Sequence, residues 1–211
     1  MNELVRILRE DNFPALFRLN DLSILKYKKE EIIRMFEEAI KNNWLDNVYE
    51  DIFALGKEYR KTYISEYVLA QILEPKSYVS TNYVLYESNW IVDGITVVTC
   101  VTNKEKKMID TEKYGSFYYE KIDCQDSAGI YWNENESGKY RKASPLRALC
   151  DLVYLRNDDL YENMEYLTEY LRIPYSLLKN EVRKEEIDEL RQGINIRNVN
   201  VFLDNLKKEL F

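Results

Sequence analysis

The chain of 211 residues contains no histidine. That removes the side chain most used as a general base near neutral pH, the commonest metal ligand, and every Ser-His-Asp or Cys-His arrangement. Cysteine occurs three times, at Cys100, Cys124 and Cys150, far apart and in odd number. No disulfide framework or zinc-ligand spacing can be written from them, and a reducing cytosol suits them. Cys100 falls in an apolar strand and Cys150 in an apolar helix, where a thiol packs as a small hydrophobe. Six glycines and four prolines supply no Gly-rich phosphate loop and few flexible connections. No apolar run is long enough to span a bilayer, and the opening MNELVRILREDN lacks the hydrophobic stretch of a secretory signal. The expectation is a cytoplasmic protein with no cofactor, no metal and no enzymatic site.

Positive charge is also scarce. The net charge is −7, and residues 1–60 hold 10 Lys/Arg against 12 Asp/Glu. Strong nonspecific binding of nucleic acid is therefore not expected, although a local basic strip remains open. What the chain has in quantity is apolar residues, at 45%, and tyrosine, at 18 copies. That is enough to bury a sizeable core, with many rings at half-wet positions where a phenol packs and its hydroxyl stays hydrated.

Along the chain, residues 2–10 read as a short amphipathic helix interrupted by Asp11, Asn12 and Pro14. Asn20 is placed to cap a short helix over Asp21–Leu25. After a tight turn at Lys26–Tyr27, the apolar spacing Ile32, Ile33, Phe36, Ala39, Ile40 predicts a longer helix over about 28–42. Two short strands, Trp44–Tyr49 and Ile52–Leu55, surround Glu50–Asp51. Helix, turn, longer helix and hairpin is the order of a winged helix-turn-helix, expected here over residues 1–60. In that arrangement Lys26, Lys28, Lys29 and Arg34, with Arg18 nearby, are the candidate DNA contacts. The same charges also read as a solvated helix face with Glu–Lys pairs.

Residues 61–211 predict a mixed α+β domain. A helix over 60–73 leads to a second one capped by Ser80. The β-branched run Ile95–Val101 reads as a central strand. Further strands are expected at Met108–Thr111, Ser116–Ile122, Gly129–Trp132 and Tyr140–Ala143. Ser144 and Pro145 open a firm helix in which Arg147 and Asp151, one turn apart, pair. Helices over Asp159–Leu171, Tyr175–Arg191 and Asn198–Leu210 finish the chain.

Ser77, Tyr78, Val79 and Ser80 at a helix start are followed by a strand with Val98, Thr99 and Thr102. A Gly-aromatic strand comes next, with Gly115, Phe117 and Tyr119, and then a helix with Ala143, Ala148, Leu149 and Asp151. In this order they resemble the AbiEi-type antitoxins of bacterial abortive-infection, type IV toxin–antitoxin systems. The resemblance covers most of the chain. It implies an N-terminal winged helix and a C-terminal antitoxin domain. The implied activities are repression of the protein's own promoter and neutralisation of a nucleotidyltransferase toxin, without a stable complex between the two. One position departs from the family pattern: the wing turn carries Glu50 and Asp51 where an Arg/Lys-Gly turn is usual. Two carboxylates there repel phosphate. They leave open a second reading, in which the winged helix serves dimer or partner contacts.

Two further constellations stand out. Ser77, Tyr78, Ser80, Tyr83 and Tyr86 near one helix start could form an anion or partner pocket, or be ordinary capping and core packing. Asp93 before the central strand, with Glu105, Lys106 and Lys107 after it, could build a metal-dependent nuclease site, or be a charged loop.

Overall fold

The computed structural model describes residues 1–10, 13–123, 127–156 and 165–211. Asp11, Asn12, Cys124 and the first part of the helix expected over Asp159–Leu171 lie outside them. The described residues form a mixed α+β fold with two sheets. Two compact units share it, one of residues 1–69, 110–115 and 134–139, the other of 70–109, 116–133 and 140–211.

The first unit opens with helix α1 (Glu3–Glu10) and strand β1 (Leu16–Arg18), followed by a 3-10 helix over Leu19–Ile24. Asn20 does not cap that helix. Its start is instead set by Asp21, whose carboxylate accepts the Arg18 backbone N–H at 2.7 Å. Helix α2 (Lys29–Lys41) follows, then β2 (Leu45–Tyr49) and β3 (Ile52–Leu55), giving a three-stranded sheet of order β1-β3-β2. The α2 apolar face, Ile32, Phe36 and Ala39, packs with Leu4, Leu8, Leu22 and Phe53 into one core. The Phe36 and Phe53 rings meet edge to face at 4.7 Å.

Both ends of α2 are closed by local chemistry. At its start the Glu31 carboxylate accepts the Lys28 backbone N–H at 3.1 Å. At its end Asn43 takes a left-handed conformation, φ 56°. Trp44 N–H then reaches back to Ala39 at 2.9 Å and Asn43 N–H to Ile40 at 3.0 Å, a Schellman ending.

Helix α3 (Glu66–Leu73) is shorter than the helix expected from residue 60. The Ser65 amide donates to the Ser137 hydroxyl at 3.2 Å, a bond to a distant loop that holds the preceding segment out of the helix.

The larger sheet is mixed, and most of its residues belong to the second unit. Its strands are β4 (Tyr78–Val79), β5 (Val97–Thr102), β6 (Lys107–Thr111), β7 (Gly115–Lys121), β8 (Ile130–Asn135) and β9 (Gly138–Ala143), in the order β6-β7-β5-β4-β9-β8. β5 runs parallel to β7 and antiparallel to β4, and β4 runs parallel to β9. Helix α4 (Thr81–Glu87) follows β4, and α5 (Pro145–Arg156) follows β9. Eight successive residues of α5, Leu146 to Val153, are buried, as befits a helix enclosed on every side rather than one with a single wet face.

A π-turn over Tyr166–Tyr170 precedes the last helices, α6 (Tyr175–Glu181), α7 (Lys184–Gly193) and α8 (Arg197–Leu210). The single helix expected over Tyr175–Arg191 is thus two. Val182 is extended and buried, and the chain bends there.

Candidate functional sites

The basic residues of the first unit lie on and just before α2. Lys26, Lys28, Lys29 and Arg34 are all exposed, and none of them forms an ion pair among the described residues. Three of the four fall within the turn leading into the helix and its first residue. The helix dipole favours anions there, and unsatisfied backbone N–H groups point outward. Glu37 and Glu38 sit two turns later, with Glu38 accepting the Asn2 amide at 3.1 Å. Arg18 is placed differently: its guanidinium pairs with Asp51 in the β2–β3 turn. That pair offsets one of the two carboxylates at the hairpin tip. Glu50 remains exposed there, in a left-handed conformation at φ 45°.

The hydroxyl cluster of the second unit is drawn together, but around a carboxylate of the chain itself. Asp151 on α5 is 3% exposed. It accepts from the Ser80 hydroxyl at 2.6 Å, from the Tyr78 phenol at 3.0 Å and from Arg147 Nε at 2.9 Å. Arg147, 1% exposed, also donates to the Tyr78 oxygen at 3.1 Å and to the Ala128 carbonyl at 2.7 Å. Burial alone would make the guanidinium easier to deprotonate. The Asp151 charge, the Tyr78 oxygen and the hydrogen bonds to both together outweigh it and hold the pKa of Arg147 above its ordinary value. Burial, with the Asp151 charge added, raises the Tyr78 phenol well above its usual range, so it stays a neutral donor. Ser77 is also buried and bonds locally, its hydroxyl donating to the Glu74 carbonyl at 2.7 Å. Tyr86 is exposed and joins none of these bonds.

Ser80 does not cap the following helix, contrary to the sequence expectation. Its side chain makes no cap bond. The α4 amide that needs an acceptor, Tyr83 N–H, finds the Thr99 hydroxyl on β5 at 3.0 Å. Thr99 in turn donates to the Ser80 carbonyl at 2.7 Å. The helix start is therefore capped from a neighbouring strand, which frees Ser80 for Asp151. No local sequence signal marks this exchange, because its two halves are far apart in the chain.

Asp93 and Glu105 are not brought together. They flank opposite ends of β5, whose six residues span roughly 17 Å at about 3.3 Å per step. Glu105 pairs with Lys121, Lys106 with Glu120, and Lys107 with the buried Glu74. Among the described residues no group of acidic, cysteine or histidine side chains is arranged to hold a metal ion. Among them, too, no helix is long and apolar enough to cross a membrane. Neither family models nor curated proteins yield a match to this chain.

Proposed function

We propose that the chain is a transcriptional regulator of the antitoxin type. Residues 1–60 act as a winged helix-turn-helix on the protein's own promoter DNA. Residues 61–211 act as the domain that neutralises a nucleotidyltransferase toxin. The observation that carries the DNA reading is the placement of Lys26, Lys28, Lys29 and Arg34. They are exposed and, among the described residues, unpaired, and they gather at the leading half of α2. A helix entering the major groove by its N-terminal end presents those positions to phosphates and base edges and leaves Glu37 and Glu38 behind. The Arg18–Asp51 pair supports the same reading, since it lowers the negative charge at the hairpin tip. For the second domain the support is the convergence of resemblance-bearing residues. Tyr78, Ser80 and Asp151 share one buried bonding centre, joined through the Ser80 carbonyl to Thr99.

The test is a gel-shift with the duplex upstream of the protein's own gene against a random duplex of equal length at moderate salt. Preference for the upstream duplex, lost in Lys28→Glu/Lys29→Glu, is expected. Equal retention of both duplexes sinks the DNA reading. Toxin neutralisation is read separately, as rescue of growth when the neighbouring gene is expressed.

One observation favours a second reading, in which the first unit mediates dimer or partner contacts. Ile24 is 74% exposed, next to the partly exposed Leu19 and Tyr27. With Ile32 and Ile33, the latter two border a cavity of about 340 Å³ between the 3-10 helix and α2. An Ile24→Lys variant that turns a dimer into a monomer while leaving promoter binding unchanged would separate this surface from the DNA face.

A further inference from the structure

The second unit holds an open cleft of about 650 Å³, bordered by Tyr78 but otherwise lined by residues outside the Asp151 centre. Its walls combine four kinds of chemistry. Thr102, Asn103 and Ser127 are neutral and polar. Val101, Ile122 and Ile130 are apolar. Trp132, on strand β8, is 67% exposed and contributes an indole. Lys76 and Arg141 contribute two cations. Among the described residues no carboxylate lines it. In a chain of net charge −7, a cleft with two cations and, among the described residues, no acid favours a negatively charged occupant.

The two cations are also available. Lys76 is exposed, and its ammonium forms no ion pair among the described residues. Arg141 is half-buried and only partly committed. Its Nη2 donates to the Ser77 carbonyl at 2.8 Å, which fixes the side chain in place. Its Nε is buried with no hydrogen-bond partner. The guanidinium lies 5.7 Å from the centre of the Trp132 ring, over one face of it. An anchored guanidinium beside an exposed indole is a preorganised pair: one part meets an anion and the other a flat ring.

We propose that this cleft binds a mononucleotide, with the base against Trp132 and the apolar wall and the phosphate between Lys76 and Arg141. A volume of about 650 Å³ is in the range of small-molecule sites and far exceeds what a bare phosphate fills. An apolar molecule without charge would leave both cations unanswered. A nucleoside phosphate has the two parts that the walls separate. The site is independent of the DNA reading, because every residue in it belongs to the second unit.

The experiment is calorimetric titration of the full chain with adenosine 5′-monophosphate, adenosine and inorganic phosphate. Binding of the monophosphate at least about tenfold tighter than either half is expected, since charge-assisted contacts and base stacking each contribute on that scale. Trp132→Ala and Lys76→Gln, both at exposed positions, should each weaken it about tenfold with an unchanged melting temperature. No heat with the monophosphate at millimolar concentration overturns the proposal. So does affinity undiminished in both variants, or adenosine or phosphate binding as tightly as the whole nucleotide.

Discussion

Asp151 and Arg147 carry the sharpest consequences of any single residues. Three donors converge on a carboxylate that is 3% exposed. Removing only the acid strands a buried guanidinium, so Asp151→Ala should cost about 3–5 kcal/mol in urea denaturation. Replacing the pair together, as Arg147→Met/Asp151→Leu, should recover most of that loss, because no unpaired charge is left behind. If the double variant is as unstable as the single one, the hydroxyl bonds of Tyr78 and Ser80 dominate instead. Glu74 gives a pH signature. Burial pushes its carboxyl up, but the bonds from Lys104 and Lys107 outweigh burial and hold it below the ordinary range. A depressed pKa means that its contribution to stability is complete above the unfolded value of about 4.3 and is lost as pH falls through the lower folded value. The urea midpoint of the wild type should therefore drop more steeply below about pH 4.5 than that of Glu74→Gln.

At the scale of elements, what the sequence made legible was periodic or locally capped. Helix α2 ends within a residue of its expected span because Ile32, Phe36 and Ala39 repeat at helical spacing and Asn43 can turn left-handed. Asn43→Gly removes the Cβ penalty at that turn and should stabilise by less than about 1 kcal/mol, whereas Asn43→Val should destabilise. Gly129 is the opposite case. At φ +69° an added Cβ would lie 2.8 Å from the Arg147 Cβ and 2.9 Å from Leu190. Gly129→Ala should cost more than about 1 kcal/mol by thermal melting, since both the backbone and the α5 start would have to shift.

Elements without a local signal were invisible. β4 has two residues and exists because β5 and β9 flank it. β1 has three and is held by β3. The Tyr175–Arg191 segment kept an apolar pattern through Leu178, Val182, Ile187 and Leu190. The step of five from Val182 to Ile187 breaks the three-to-four rhythm, and the helix breaks with it.

For the whole molecule, net charge and local charge oppose each other. A chain at −7 repels DNA at long range, so the proposed promoter binding would rest on a few close phosphate contacts. If Lys26, Lys28, Lys29 and Arg34 each displace one counterion, the logarithm of affinity should fall with the logarithm of salt with a slope of about −3 to −4. Lys28→Gln/Lys29→Gln should flatten it by about 2. An unchanged slope would move the contact surface elsewhere.

The α+β class, the order of the main helices and strands, the absence of any histidine chemistry and the Arg147–Asp151 pairing were determined by the amino-acid sequence. These depend on composition and on contacts within a few residues, which periodicity reports directly. Only tertiary structure decided that Ser80 bonds Asp151 while Thr99 caps α4, that Arg18 offsets Asp51, and that Trp132 and Arg141 meet Lys76 across a cleft. Each joins residues that are distant in sequence. Their partnership is set by how strands order within a sheet, and no local spacing records that order.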